Sequence, residues 1–129
     1  MLVGVPKEIK VHESRVALTP EGVFEFTRSG HEVVVENGAG VGSSISDADF
    51  VAAGARIETD IEKLWKDADL ILKVKEPIEV EYPRLRSGQI GAGDVGGNDV
   101  GRGARVDDVN DEGRRVATAV GAGEGLACL

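Results

Sequence analysis

Leu70-Ile71-Leu72-Lys73-Val74-Lys75-Glu76-Pro77 is the stretch whose reading decides the fold. Leu70, Leu72 and Val74 alternate with Ile71, Lys73 and Lys75, the two-residue period of a strand. Ile71 adds apolar character to the second face, so the strand is buried on both sides near its start. Pro77 cannot donate to a ladder and drives Glu76 toward extended geometry, which ends the strand. In an open α/β sheet, ligands sit beyond the carboxyl ends of the strands. Lys75 stands where such a ligand would be. The simpler reading of Lys75 is a solvated lysine at a strand end.

Upstream, Leu2-Val3-Gly4-Val5 reads as a buried strand closed by Pro6, and Lys7 to Val16 as a charged loop beyond its carboxyl end. Arg15 lies in that loop. Thr19-Pro20-Glu21 opens a helix: Thr19 as N-cap, Pro20 in the first helical position, an acid in the first turn. Val23 and Phe26 face the core, and Gly30 closes the helix. Glu32-Val33-Val34-Val35-Glu36 is a second strand. The glycines at 38, 40 and 42 lack the Lys-Ser/Thr of a phosphate-binding loop and the spacing of a dinucleotide fingerprint, so this is a structural loop. Ser46-Asp47-Ala48-Asp49 caps a short helix, residues 55–57 form a brief strand, and Thr59-Asp60-Ile61-Glu62 fits a capping box. Ile61, Leu64, Trp65 and Ala68 then share one helix face, which makes Trp65 a core residue. Strands alternating with helices predict an α/β fold, a Rossmann-like parallel sheet with flanking helices and strands near 2–5, 32–36, 55–57 and 70–74. Residues 78–89 read as a polar link.

The chain has 129 residues, enough for one domain with a core. Its formal net charge of -8 argues against nucleic acid or an anionic membrane as partner. There is no apolar run of membrane-spanning length and no secretory leader pattern. Cys128 is the single cysteine, which suits a reducing cytoplasm. His12 and His31 lack ligand-like spacing, and no metal site is expected.

Gly4-Val5-Pro6-Lys7-Glu8, Glu13-Ser14-Arg15-Val16-Ala17-Leu18-Thr19-Pro20, Gly30-His31-Glu32-Val33, Gly38-Ala39-Gly40 and Leu72-Lys73-Val74-Lys75-Glu76-Pro77 together resemble the opening of the alanine dehydrogenase family. The wider group includes the α subunit of nicotinamide nucleotide transhydrogenase. The resemblance covers residues 1–90, which it marks as the amino-terminal part of a substrate domain. It implies an oxidoreductase that uses NAD for the reversible oxidative deamination of L-alanine to pyruvate and ammonia, in alanine catabolism. It implies substrate-binding roles for Arg15 and Lys75, and a homo-oligomer. The Lys-Glu-Pro ending at 75–77 favours the dehydrogenase over the transhydrogenase.

After Ile90 the resemblance changes character. The family continues with an apolar strand and a catalytic histidine; here no histidine follows, so no catalytic residue is assigned. Gly91, Gly93 and Gly96 instead fit a dinucleotide fingerprint, and Asp108 stands in the place of its ribose-binding acid. Too few residues separate Gly91 from Asp108, where the fingerprint expects about 20. Residues 91–112 are therefore read as the remnant of a dinucleotide-binding βαβ unit left by an internal deletion. Residues 113–129 carry no motif and read as a disordered tail. The expectation is a fragment inactive alone. The alternatives are a transhydrogenase α-subunit fragment or a non-catalytic remnant that binds small carboxylates.

Overall fold

The structure, a computed structural model, describes residues 1–75, 78, 80–86 and 88–91, with the backbone alone at 92, 103–109, 115–120 and 126–128. Five strands run parallel: β1 (Leu2–Val5), β2 (Glu32–Glu36), β3 (Arg56–Glu58), β4 (Leu70–Leu72) and β5 (Ile90–Ala92). Three helices link them: α1 (Pro20–Arg28), α2 (Asp47–Ala52) and α3 (Ile61–Asp67). The order is β3-β2-β1-β4-β5, continued by β6 (Gly103–Val109), β7 (Arg115–Val120) and β8 (Leu126–Cys128).

Alternation along the strands divides the core in two. Val3, Val5, Val33 and Val35 face one side with Val23 of α1 and Phe50 of α2. Val34 and Ile71 face the other with Leu64 and Trp65 of α3 and its C-cap Ala68. Each fully buried side chain of this size contributes about 1.5–3 kcal/mol of transfer free energy. Gly4 lets α3 come close: a β-carbon there would stand 2.8 Å from that of Ala68. Trp65 is wholly buried, as the helix period requires.

The caps follow local chemistry. Thr19 Oγ1 accepts from Gly22 N–H, and Ser46 and Asp49 form a reciprocal capping box. The cap of α3 is Asp60 rather than Thr59: its carboxylate accepts from Glu62 N–H at 3.1 Å and Lys63 N–H at 3.4 Å. A carboxylate also complements the positive helix end, which a hydroxyl does less well. The fourth strand stops at Leu72, short of the expected 74, because Lys73 turns into a buried ion cluster described below.

A fifth strand, β5, starts at Ile90 and includes Gly91. The polar residues ahead of it close α3. Gln89, wholly buried, donates from Nε2 to Trp65 O at 2.7 Å and Ala68 O at 2.9 Å. Arg86 donates to Lys66 O at 2.8 Å and Ala68 O at 2.7 Å. These donors satisfy the carbonyls a helix leaves open at its carboxyl end.

The strands beyond β5 differ from the βαβ expectation. β6 pairs antiparallel with β5, Ile90 opposite Arg105, and β7 and β8 add antiparallel in turn. A βαβ unit needs a parallel second strand and a crossover of a dozen residues or more. Only residues 93–102 separate β5 from β6, which is too short. The segment 113–129, expected as a disordered tail, contributes β7 and β8.

Candidate functional site

From β1 the sheet grows toward β2 and β3, with α1 and α2 packed on one face; it then resumes on the other side of β1 with β4, with α3 on the opposite face. The strand order therefore reverses between β1 and β4. At such a reversal the flanking loops part and leave a crevice at the carboxyl ends of the strands.

At that point two carboxylates and an ammonium are buried together. Lys73 Nζ lies 3.1 Å from Glu8 Oε2 and 3.1 Å from Glu81 Oε2, with side-chain exposures of 4%, 2% and 2%. The second oxygen of each acid holds backbone: Glu8 Oε1 accepts from Lys75 N–H at 2.8 Å, and Glu81 Oε1 from Ile78 N–H at 3.2 Å. Glu8, after β1, thus fixes the chain at Lys75, after β4. A buried lysine needs such partners, because an unpaired charge in a dry interior is costly.

The loop after β1 and the glycine-rich loop after β2 enclose a cleft of about 220 Å³, lined by Lys7, Glu8, Glu13 and Arg15 on one side and Gly38 and Gly42 on the other. Gly42 is where the two loops touch: a β-carbon there would stand 2.8 Å from that of Ser14. Ser43 Oγ accepts from Val16 N–H at 3.2 Å and donates to Ser14 O at 3.5 Å, bracketing Arg15 along the backbone. Asp47 of α2 accepts from Gly38 N–H at 3.0 Å. Glu36 accepts from Lys7 N–H at 2.6 Å, and burial pushes its carboxyl above the ordinary value. The glycines thus serve close packing, and their loop also forms one wall of the cleft.

Arg15 is open to solvent, its side chain 65% exposed, while Glu13 beside it is 7% exposed. Glu13 accepts from Arg15 Nε at 2.9 Å and Nη2 at 2.8 Å, and from the Arg15 backbone N–H at 3.1 Å. The Arg15 hydrogen bonds hold the Glu13 carboxyl at about 2, down from 4.5, and the charge of Lys75 adds to the effect. Of the two residues expected from sequence to bind substrate, Arg15 lines the cleft, and Lys75 is tied to the cleft residue Glu8 through its backbone N–H. Glu8, Glu13, Lys73 and Glu81 were given no role from sequence. A lysine inside a buried apolar run is the signal that could have exposed the cluster.

Of the four dinucleotide positions, Gly91 is described beyond its backbone. Gly91 lies within β5, opposite Ile71 on one side and Ala104 on the other, so its backbone sits in the ladder and not in a phosphate turn. Gly93 and Gly96 lie outside the described residues, and Asp108 lies in β6. Among the described residues, no helix is long and apolar enough to cross a membrane.

A parallel α/β sheet with its order reversed beside the first strand, and a cleft lined by Lys7 and Arg15 between the loops after β1 and β2, define a Rossmann-like domain. The family model described as alanine dehydrogenase/PNT, N-terminal domain, matches residues 4–94. The chain belongs to that family. It is 62% identical over 89 residues to an alanine dehydrogenase of Mycolicibacterium smegmatis and 61% identical over 89 residues to one of Halomonas elongata, in each case 69% of this chain and 24% of the relative. A solved L-alanine dehydrogenase superimposes with a TM-score of 0.70 at 39% identity, over 72% of this chain and 26% of that one. The crystal structure of a transhydrogenase from Sinorhizobium meliloti gives 0.68 at 41% identity, over the same shares. The chain thus spans about a quarter of the length of these relatives.

Proposed function

We propose that the chain carries the carboxylate-binding half of an alanine dehydrogenase substrate site and takes pyruvate or L-alanine. The observation that supports this reading is the cleft between the loops after β1 and β2, lined by Lys7 and Arg15, with its lining residue Glu8 accepting from the Lys75 N–H at 2.8 Å. A guanidinium offers a planar fork to a carboxylate. An ammonium beside the 2-keto group donates a hydrogen bond and polarises the carbonyl. Arg15 binds the acid end and Lys75 orients the reacting end.

NAD, in the whole reaction, would accept the hydride. Gly93 and Gly96, expected to meet it, lie outside the described residues, and no step runs through it. Proton transfer by a positioned acid or base contributes about 10²–10⁴-fold, and the sequence has no histidine after His31. The chain alone is therefore a binding module without alanine oxidation. The transhydrogenase reading draws on the Sinorhizobium meliloti structure. The Lys-Glu-Pro ending at 75–77 weighs toward the dehydrogenase.

Two measurements test this. Calorimetric titration with pyruvate should show binding that Arg15→Ala weakens and Arg28→Ala, on the exposed side of α1, leaves alone. Absorbance of NADH with L-alanine and NAD in excess should stay flat. Turnover that vanishes in Lys75→Ala would overturn the claim that the chain is inactive by itself.

A further inference from the structure

We propose that Glu13 is the positioning residue of the carboxylate site: it sets the direction of the Arg15 guanidinium at the cleft wall. The inference rests on the reading of Arg15 as the substrate fork.

Three features carry it. Glu13 grips Arg15 at three points, through Nε, Nη2 and the backbone N–H. A flexible side chain held at both its base and its head has lost most of its rotamer freedom before a ligand arrives, which lowers the cost of binding. Next, the carboxylate is sheltered while the guanidinium is open, so the acid lies on the protein side of the pair. It is anchored there by the turn in which Glu13 N–H donates to Lys10 O at 3.0 Å, with His12 in the left-handed region at φ 64. Finally, Glu13 and Arg15 line the same cleft, so the pair fixes the fork at its wall.

Charge alone and positioning predict opposite signs. Removing an acid beside an anion site strengthens the field for an incoming carboxylate, so a bystander Glu13 would make Glu13→Gln bind pyruvate more tightly. A positioning Glu13 makes the same variant bind more weakly, because a neutral amide cannot replace two charge-assisted bonds to the fork.

The experiment is calorimetric titration of the full chain with pyruvate in the parent, Glu13→Gln, Glu13→Asp, Arg15→Ala and the double variant Glu13→Gln/Arg15→Ala. Thermal melts confirm that each is folded. The expected result is a loss of about tenfold in Glu13→Gln, about 1.4 kcal/mol, and no further loss when Glu13→Gln is added to Arg15→Ala. Glu13→Asp keeps the charge but shortens the reach, and should lose affinity too. Tighter or unchanged binding in Glu13→Gln, with binding still lost in Arg15→Ala, overturns the positioning role and leaves the carboxylate site standing. Parental affinity in Glu13→Asp shows that charge and not geometry is what matters, and overturns it equally. Parental affinity in Arg15→Ala overturns the site itself and the inference with it.

Discussion

Lys73 and Glu8 form a buried ion pair across the sheet reversal, Nζ to Oε2 at 3.1 Å, with residues 65 positions apart in the chain. The pair ties the end of β1 to the end of β4, the two strands whose loops carry Arg15 and Lys75. Glu81 completes the cluster on the far side of the ammonium. The cluster belongs to the packing of the domain, and through the Lys75 N–H it reaches the site.

Lys73→Met should destabilise the domain by about 3–5 kcal/mol, because two buried carboxylates lose their cation. Urea unfolding measures it. The triple variant Lys73→Met/Glu8→Gln/Glu81→Gln should recover much of that loss, since it strands no charge. A single variant within about 0.5 kcal/mol of the parent, the range of ordinary surface changes, would show that the cluster is open to water.

Gln89→Ala should cost about 1–3 kcal/mol, the penalty for leaving a buried acceptor without its donor. The carbonyl of Trp65 is that acceptor, while Ala68 O keeps the Arg86 guanidinium. Amide exchange should quicken in the last turn of α3 and in β5 together. Exchange that quickens in neither would mean that Gln89 does not join the two.

Glu13 has its folded-state carboxyl lowered to about 2 from 4.5. A depressed carboxyl adds stability that is fully present above the unfolded value and lost as pH falls through the folded one. The Glu13–Arg15 pair should therefore hold across neutral pH and fail only between about 4.5 and about 2. Carbon NMR of the Glu13 carboxyl should report that midpoint. Arg15→Gln should return it toward the ordinary carboxylate range; a midpoint unmoved by Arg15→Gln would break the pairing.

Most of the parallel layer was legible because its signals are local. Thr19-Pro20 caps a helix, Val33-Val34-Val35 buries both faces of a strand, and Trp65 falls in line with Ile61, Leu64 and Ala68. What was illegible is what depends on distant partners. Glu8, Lys73 and Glu81 look like three ordinary charges until the sheet brings them together. β5 was missed because Gly91 and Ala92 have weak strand preference, and its parallel place beside β4 is secured by Gln89 and Arg86 closing α3. Gly91 matched a fingerprint by residue type. Its position in the ladder gives it a different use, which a residue pattern does not reveal.

Pyruvate affinity across the cycle parent, Arg15→Ala, Lys75→Ala and Arg15→Ala/Lys75→Ala tests the central claim most directly. Two side chains that hold one small ligand are coupled. Each single variant should weaken binding about tenfold or more, and the double should lose less than the two losses combined. Parental affinity in either single variant would contradict the shared site.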